Sequence, residues 1–548
     1  DAAQTDTSLT ISVFDYGGQS VFNVIHHLFL TQYGVYALCF NMEWLLPSAP
    51  EADKERCIKY LRFWLNSIVL HTYDTSTQVN DKCAPVVLIG THADIVSSPA
   101  DHEKISHVLE QNFGSSLAWP FKIANHDGEG GRGRTILSFF PVDNKKGRDN
   151  DPKFQYMMRL IEERMEAAAY THKNVPLNWL KTMDAFKKTN KSFLTLTEVQ
   201  LIAVSCGVKH DHVEALLRLL HEMGHLLWNE EPNLREVVIL DAIEYLVGPA
   251  TLVVCNLRGT AGDDLTKHSQ PQHIAAAKHH PDEWDQLTNN GVLKKLILST
   301  LWADCADETK HLLTLMKKFG LLVPIDLQDS DSQLVEQFVV PALLPPAPAG
   351  QLRSRQDWGD GRSSTCSCYI VFTLKSGMKT ETSINIDDLK TKGFMPSGLY
   401  ERVVGGCLSW SQAVSGNGYI RLEEVAMFSD RAVLRFGSQT FRIVPLPELN
   451  CIRLDIEGAN PLPVMSRVLT IAEEAITECM KSLLVFVALP WQDKSNPSDV
   501  SFEDSDSSAA MLLPLENLRN ATANKHPLKT GGRNLLSFEE LTTDYRHI

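Results

Sequence analysis

Over its first 170 residues the chain alternates short, continuous apolar runs, at 9–14, 35–40, 85–90 and 136–141, with stretches of helical spacing at 52–70, 101–113 and 152–169. Strands that are apolar on both faces must be covered on both faces, and a strand-helix-strand order supplies the helices that cover them. The expected fold class here is α/β, a buried parallel sheet with helices on both sides. Open sheets of this kind bind ligands beyond the C-terminal ends of their strands. The residues that follow each run are therefore where chemistry is to be sought.

Three of those strand ends carry a carboxylate. The first run ends in Asp15-Tyr16-Gly17-Gly18-Gln19. A carboxylate at that place can hold Mg²⁺, often through water. Gly18 lets the backbone N–H approach a terminal phosphate with no side chain in the way, and Gln19 can orient an attacking water. The bland alternative is a strand followed by a tight turn, for which Asp and Gly are common choices. The third run ends in Gly90-Thr91-His92-Ala93-Asp94. An Asp there can accept from guanine N1–H and from the exocyclic amine, a donor pair that adenine lacks, and unpaired buried groups penalise the wrong base. The fourth leads into Asp143-Asn144-Lys145, placed to add loop contacts around a base.

Beyond this region the pattern changes. From 176 to 345 it is mainly helical, at 197–206, 212–223 and 241–247, with short extended pieces at 226–228 and 237–240. A compact winged-helix-like unit fits it. A stretch dense in proline, glycine and charge at 343–364 reads as a linker. Strand-type runs then dominate, at 369–374, 419–422, 432–436 and 451–456, with a helix near 463–482, as in a separate α+β domain. Residues 492–510 hold five carboxylates against one lysine and read as a disordered insertion, and 511–548 regains apolar residues that fold back onto the α+β domain.

In their order, the three strand ends resemble the third, fourth and fifth motifs of small GTPases. Thr91-His92-Ala93-Asp94 departs from the usual Asn-Lys-x-Asp but has the Thr-His-x-Asp form of Roc domains. The fifth motif lacks Ser-Ala-Lys, so Asp143 and Asn144 carry over least directly. Three later strings, Leu216 to Gly224, Val339 to Pro345 and Gly393 to Arg402, resemble parts of COR segments. Together they resemble the Roc-COR tandem of Roco proteins.

That resemblance implies a partial Ras-like parallel-sheet G domain over 1–170, lacking its phosphate-loop part, and a mainly helical, winged-helix-like COR-A over 171–345. A linker at 346–367, an α+β COR-B at 368–491, the acidic insertion at 492–510 and a COR-associated segment at 511–548 complete it. It implies GTP/GDP and Mg²⁺ as cofactors, with Asp15 as metal ligand and Gly18 at the γ-phosphate. Gln19 takes the catalytic place, and Thr91, His92, Asp94, Asp143 and Asn144 surround the nucleotide. It also implies slow GTP hydrolysis, intracellular signalling and a homodimer through COR-B. The competing class is a non-catalytic dimerisation scaffold. No Gly-x-x-x-x-Gly-Lys-Ser/Thr string occurs, and the glycine-rich stretch 128–134 lacks the Lys-Ser/Thr ending and reads as a surface loop. The phosphate loop is expected upstream of Asp1 in a longer parent, with this chain alone binding GTP poorly.

His221-Glu222-Met223-Gly224-His225 also fits the His-Glu-x-x-His pattern of zinc proteases, in which two histidines one helical turn apart bind the metal and the Glu acts as base. Gly224 weakens a helix, and the apolar run 216–228 reads instead as a packed helix entering a strand. His210-Asp-His212 and His279-His280 add no clear ligand set. A net charge of -15 argues against a nucleic-acid polymer or an anionic membrane surface as partner. The longest apolar stretches, such as 483–490, fall far short of the roughly 20 residues of a membrane span. The eleven cysteines lack paired metal spacing and read as reduced thiols of a cytoplasmic protein, Cys366 and Cys368 included.

Overall fold

The computed structural model describes residues 13–15, 30–31, 33–72, 83–128, 135–147, 150–168, 174–254, 270–328, 334–347, 365–374, 383–396, 398–414, 426–437, 439–458, 460–477, 483–492, 510–524, 528–529 and 535–536. Contacts divide the chain into two units, one running to Ala242 and the other from Ile243 onward.

The first unit opens with β1 (Tyr36–Asn41), α1 (Glu51–Thr72), β2 (Val86–Thr91), α2 (Pro99–Phe113), β3 (Asn125–Gly128), β4 (Thr135–Leu137), β5 (Phe140–Pro141) and α3 (Pro152–Glu166). β1, β2 and β5 form a sheet in that order, parallel throughout, with Tyr36 opposite Val86, Asn41 opposite Thr91 and Gly90 opposite Pro141. β2 is central, and the apolar run predicts its burial on both faces: Val86, Val87 and Leu88 are each at most 1% exposed. On one face Val87 packs with Ile123, Phe140, Val142 and Met157 of α3. Full burial of each such side chain contributes about 1.5–3 kcal/mol. α3 starts where it does because Asp151 accepts from the N–H groups of Lys153 and Phe154, with Pro152 in its first turn.

The expected strand at 136–141 is two strands. β4 pairs antiparallel with β3, whereas β5 pairs parallel with β2. Between them the Ser138 N–H donates to Ser106 Oγ of α2 at 2.9 Å. That hydroxyl takes the backbone donor out of any ladder. Of the run at 9–14 only Val13 and Phe14 are described, together with Asp15, and all three are exposed.

The unit continues with α4 (Leu177–Lys188), β6 (Phe193–Thr195), α5 (Leu196–Ser205), α6 (Val213–Glu222) and β7 (Val237–Ile239), β6 and β7 being antiparallel. Thr195 and Glu198 form a reciprocal capping box that starts α5. Val213, Leu216, Leu217 and Leu220 recur at helical spacing and face a core with Val199, Trp228 and Val238.

The second unit begins with a π-turn at Ile243–Val247, inside the stretch expected to be helical. It continues through α7 (Gly248–Val254), α8 (Pro271–His279), α9 (Pro281–Asn290), β8 (Val292–Lys294), α10 (Lys295–Leu301), α11 (Thr309–Lys318), β9 (Val323–Gln328) and β10 (Leu334–Val339). β8, β10 and β9 make an antiparallel sheet within a region whose pattern is mainly helical.

Next come β11 (Thr365–Thr373), α12 (Ile386–Lys392), α13 (Leu399–Val414), β12 (Ala426–Phe428), β13 (Arg431–Phe436), β14 (Gln439–Leu446), β15 (Cys451–Glu457), α14 (Leu462–Thr477), β16 (Leu484–Gln492), β17 (Ala510–Pro514), α15 (Leu515–Asn524), β18 (Leu528–Lys529) and β19 (Leu535–Leu536). Seven of these strands form one antiparallel sheet, ordered β12-β13-β14-β15-β11-β16-β17. Tyr369, Val371, Cys451 and Phe486 line one face against Ile386 and Leu389 of α12. The two-residue period sends Cys366 and Cys368 to the same face of β11. The expected strand at 419–422 and residues 493–509 of the acidic segment lie outside the described residues. No helix among the described residues is long and apolar enough to cross a membrane.

Candidate functional site

The C-terminal end of β2 is held by tight packing. A Cβ built on Gly90 would lie 2.6 Å from Met42 Cγ and 2.8 Å from the Phe139 ring, so a side chain there displaces core atoms. Thr91 closes the strand by donating Oγ1–H to the Phe40 carbonyl at 3.1 Å, and its hydroxyl also meets His92 Nδ1 at 3.0 Å.

The chain then turns. His92 adopts φ 67°, a left-handed conformation in which His is more tolerated than most residues. Its carbonyl accepts from Ile95 N–H at 3.0 Å and Val96 N–H at 2.9 Å. Ala93 N–H donates to the Val142 carbonyl, and Val142 N–H to that of Gly90, which fastens this turn to the chain leaving β5. Asp94 sits on the turn with its side chain 22% exposed. On the far side, His102 of α2 donates Nε2–H to the Val96 carbonyl at 2.8 Å.

The loop after β5 comes alongside. Asp143 Oδ1 accepts the Lys145 N–H at 2.9 Å, and its carbonyl accepts the Lys146 N–H at 3.1 Å, a self-closed turn. Asn144 is exposed. Lys145 Nζ reaches back across the gap and donates to Asp94 Oδ2 at 2.5 Å. The ammonium beside it holds the Asp94 carboxyl below the usual range, and Asp94 in turn raises the Lys145 amine. Thr91, His92, Asp94, Asp143 and Asn144 are thus carried on two adjoining strand ends. Asp15 is exposed, and its charge, after burial, pushes the Cys39 thiol up. Gly18 and Gln19 lie outside the described residues.

Two contributors to this turn, Lys145 and His102, carry no distinguishing signal in the sequence. Lys145 stands in the quoted loop string, but its pairing spans 51 residues and leaves no local periodicity. His102 looks in sequence like any polar residue of an amphipathic helix.

The zinc-protease geometry does not form. α6 ends at Glu222, Gly224 takes φ 72°, and the chain leaves the helix before His225. His221 and His225 therefore do not share a helical face. Glu222 Oε2 accepts from the Tyr33 hydroxyl at 3.3 Å, and burial lowers the His225 pKa. Leu227 pairs with Ile239, as expected for a packed helix that enters a strand. Among the described residues no group of three His, Cys, Asp or Glu is arranged to hold a metal ion.

No family model matches the chain. Among curated proteins it is similar to the probable serine/threonine-protein kinase roco6 of Dictyostelium discoideum, 24% identical over 329 residues, covering 58% of this chain and 12% of that protein. It is also similar to the probable serine/threonine-protein kinase pats1 of the same organism, 22% identical over 284 residues, 50% of this chain and 8% of that protein. The Malignant fibrous histiocytoma-amplified sequence 1 homolog of Xenopus tropicalis is 22% identical over 317 residues, 50% of this chain and 30% of that protein. The chain spans less than a third of the length of each of these relatives. Among solved structures, Methanosarcina barkeri Roco2 RocCORdC bound to GDP aligns at 17% identity and a TM-score of 0.38, over 60% of this chain and 79% of that one.

Proposed function

We propose, on the premise that this chain is a Roco-family protein like its relatives, that its first unit carries the base-recognition half of a GTP-binding site. Asp94 accepts from guanine N1–H and the exocyclic amine. Thr91 and His92 hold the turn that presents it, and Asp143 and Asn144 shape the loop beside the base. Asp15 contributes to Mg²⁺ binding, Gly18 approaches the γ-phosphate, and Gln19 positions the attacking water.

One observation carries this reading. An ionised carboxylate stands at the C-terminal end of the central strand of a parallel sheet, where such sheets bind ligands, with an N–H donor already lying against it. The two carboxylate oxygens are acceptors, which suits a base edge that offers two N–H groups. Residues 1–170 then belong to a Ras-like G domain, 171–345 to COR-A and 368–491 to a COR-B that forms the homodimer, in a cytoplasmic signalling protein that hydrolyses GTP slowly.

Exchange of Asp94 for Asn tests the base site. It replaces an acceptor with a donor, so guanine affinity falls by about 1–3 kcal/mol while xanthine, with a carbonyl in place of the amine, binds better. Equal binding of both bases by wild type and variant would end the reading. GTP turnover by the full-length protein, compared with Gln19→Ala, separates the enzyme from a dimerisation scaffold: no turnover above background leaves the scaffold.

A further inference from the structure

We propose that Lys145 is a resident competitor for the base site: its ammonium occupies Asp94 when no nucleotide is bound, and guanine enters by displacing it. The inference rests on the base-site reading and adds to it a residue that sets nucleotide affinity.

The loop is built to direct this lysine. Asp143 spends its carboxylate on the turn, accepting the Lys145 N–H at 2.9 Å and lying 3.8 Å from Lys146 Nζ. Lys146 is thereby matched with Asp143, and Lys145 with Asp94. The two ends of the pair differ in exposure, with Asp94 at 22% and Lys145 at 80%. The lysine can swing into solvent without uncovering a core, while Asp94 stays held by its turn. The shifts of both groups, Asp94 down and Lys145 up, agree with a formed pair.

The chemistry then discriminates between bases. An ammonium offers Asp94 only donors. Guanine replaces it with two donors, N1–H and the amine, so the carboxylate loses little. Adenine brings one amine beside an acceptor nitrogen, so it must break the ion pair and set a lone pair against a carboxylate. Lys145 thus weakens every base by the same factor, while Asp94 does the selecting, because only guanine returns to it the donors that the ammonium gave up. Because the pair is exposed, its weight is modest, about two- to five-fold in an equilibrium constant.

Pulse acetylation of the full-length protein, phosphate loop included, with an activated ester, read at Lys145 by mass spectrometry against exposed Lys188, tests this directly. Asp94→Asn is expected to raise Lys145 labelling about two- to five-fold. Excess GDP should do the same to the wild type, and ADP should not. In equilibrium binding, Lys145→Met should tighten GDP by about the same factor. Labelling of Lys145 that ignores Asp94→Asn overturns the proposal. So does GDP binding that depends on Asp94 but is unchanged or weakened in Lys145→Met, an outcome that leaves the base site itself standing. If neither wild type nor Lys145→Met binds GDP, the base-site reading fails and this inference with it.

Discussion

His102 donates Nε2–H to the Val96 carbonyl at 2.8 Å, and so ties the turn that carries Asp94 to the helix that follows it. The imidazole is buried, edge-to-face with Phe139 at a centroid separation of 6.1 Å. Replacing His102 by Leu leaves that carbonyl without its partner, and the expected loss is about 1–3 kcal/mol of unfolding free energy. Chemical denaturation measures it, and an unchanged midpoint would show that the contact is dispensable.

Burial also lowers the pKa of His102 and takes His71 down to about 4. The unfolded chain binds its proton near the ordinary imidazole value of about 6.5, before the folded chain does. Stability is therefore complete above that value and declines as pH falls towards 4. His71 alone contributes roughly 3 kcal/mol to this decline. Melting curves across that window should show it, and His71→Leu should flatten it.

Gly90→Ala is expected to destabilise the first unit by about 1–3 kcal/mol, because the added methyl overlaps Met42 and Phe139. Gly147→Ala is the control, since its nearest neighbour across open space is Asn150 Nδ2 at 3.6 Å. Equal melting temperatures for the two variants would contradict the packing at the end of β2.

In the seven-stranded sheet Asp455 is 1% exposed, accepts from Ser367 Oγ at 2.7 Å and takes two N–H bonds from Arg442. Asp455→Ala leaves a buried guanidinium without its carboxylate, and should remove about 3–5 kcal/mol. Ser367→Ala removes only one hydroxyl and should cost less, about 1 kcal/mol. A larger effect from the serine would mean that the network is organised around the hydroxyl.

Purified protein should carry no stoichiometric zinc at His221 and His225. Elemental analysis of the wild type and of His225→Ala is expected to agree, and zinc lost on that substitution would restore the protease reading.

The parallel sheet was legible because its evidence is local. β2 announces itself as an unbroken apolar run followed by Gly90 and a polar turn, and the ends at Asp94 and Asp143 follow from the same punctuation. Gly224 likewise warned that α6 stops short of His225. The split at Ser138 was not legible, since its cause is a hydroxyl on α2, 32 residues earlier. Nor was the sheet of β8, β9 and β10, whose first strand is only three residues long and lies between helices.

By itself, then, the sequence determined which segments are strands and helices over most of the first unit, and which carboxylates stand at the strand ends. Side-chain periodicity and turn chemistry act within a few residues, so they can be read without coordinates. Tertiary structure alone decided what those carboxylates touch. Asp94 meets Lys145, Asp455 meets Arg442 and Ser367, and β17 joins β16. Each of these pairings depends on where the fold brings distant chain segments, and no spacing in the sequence records that.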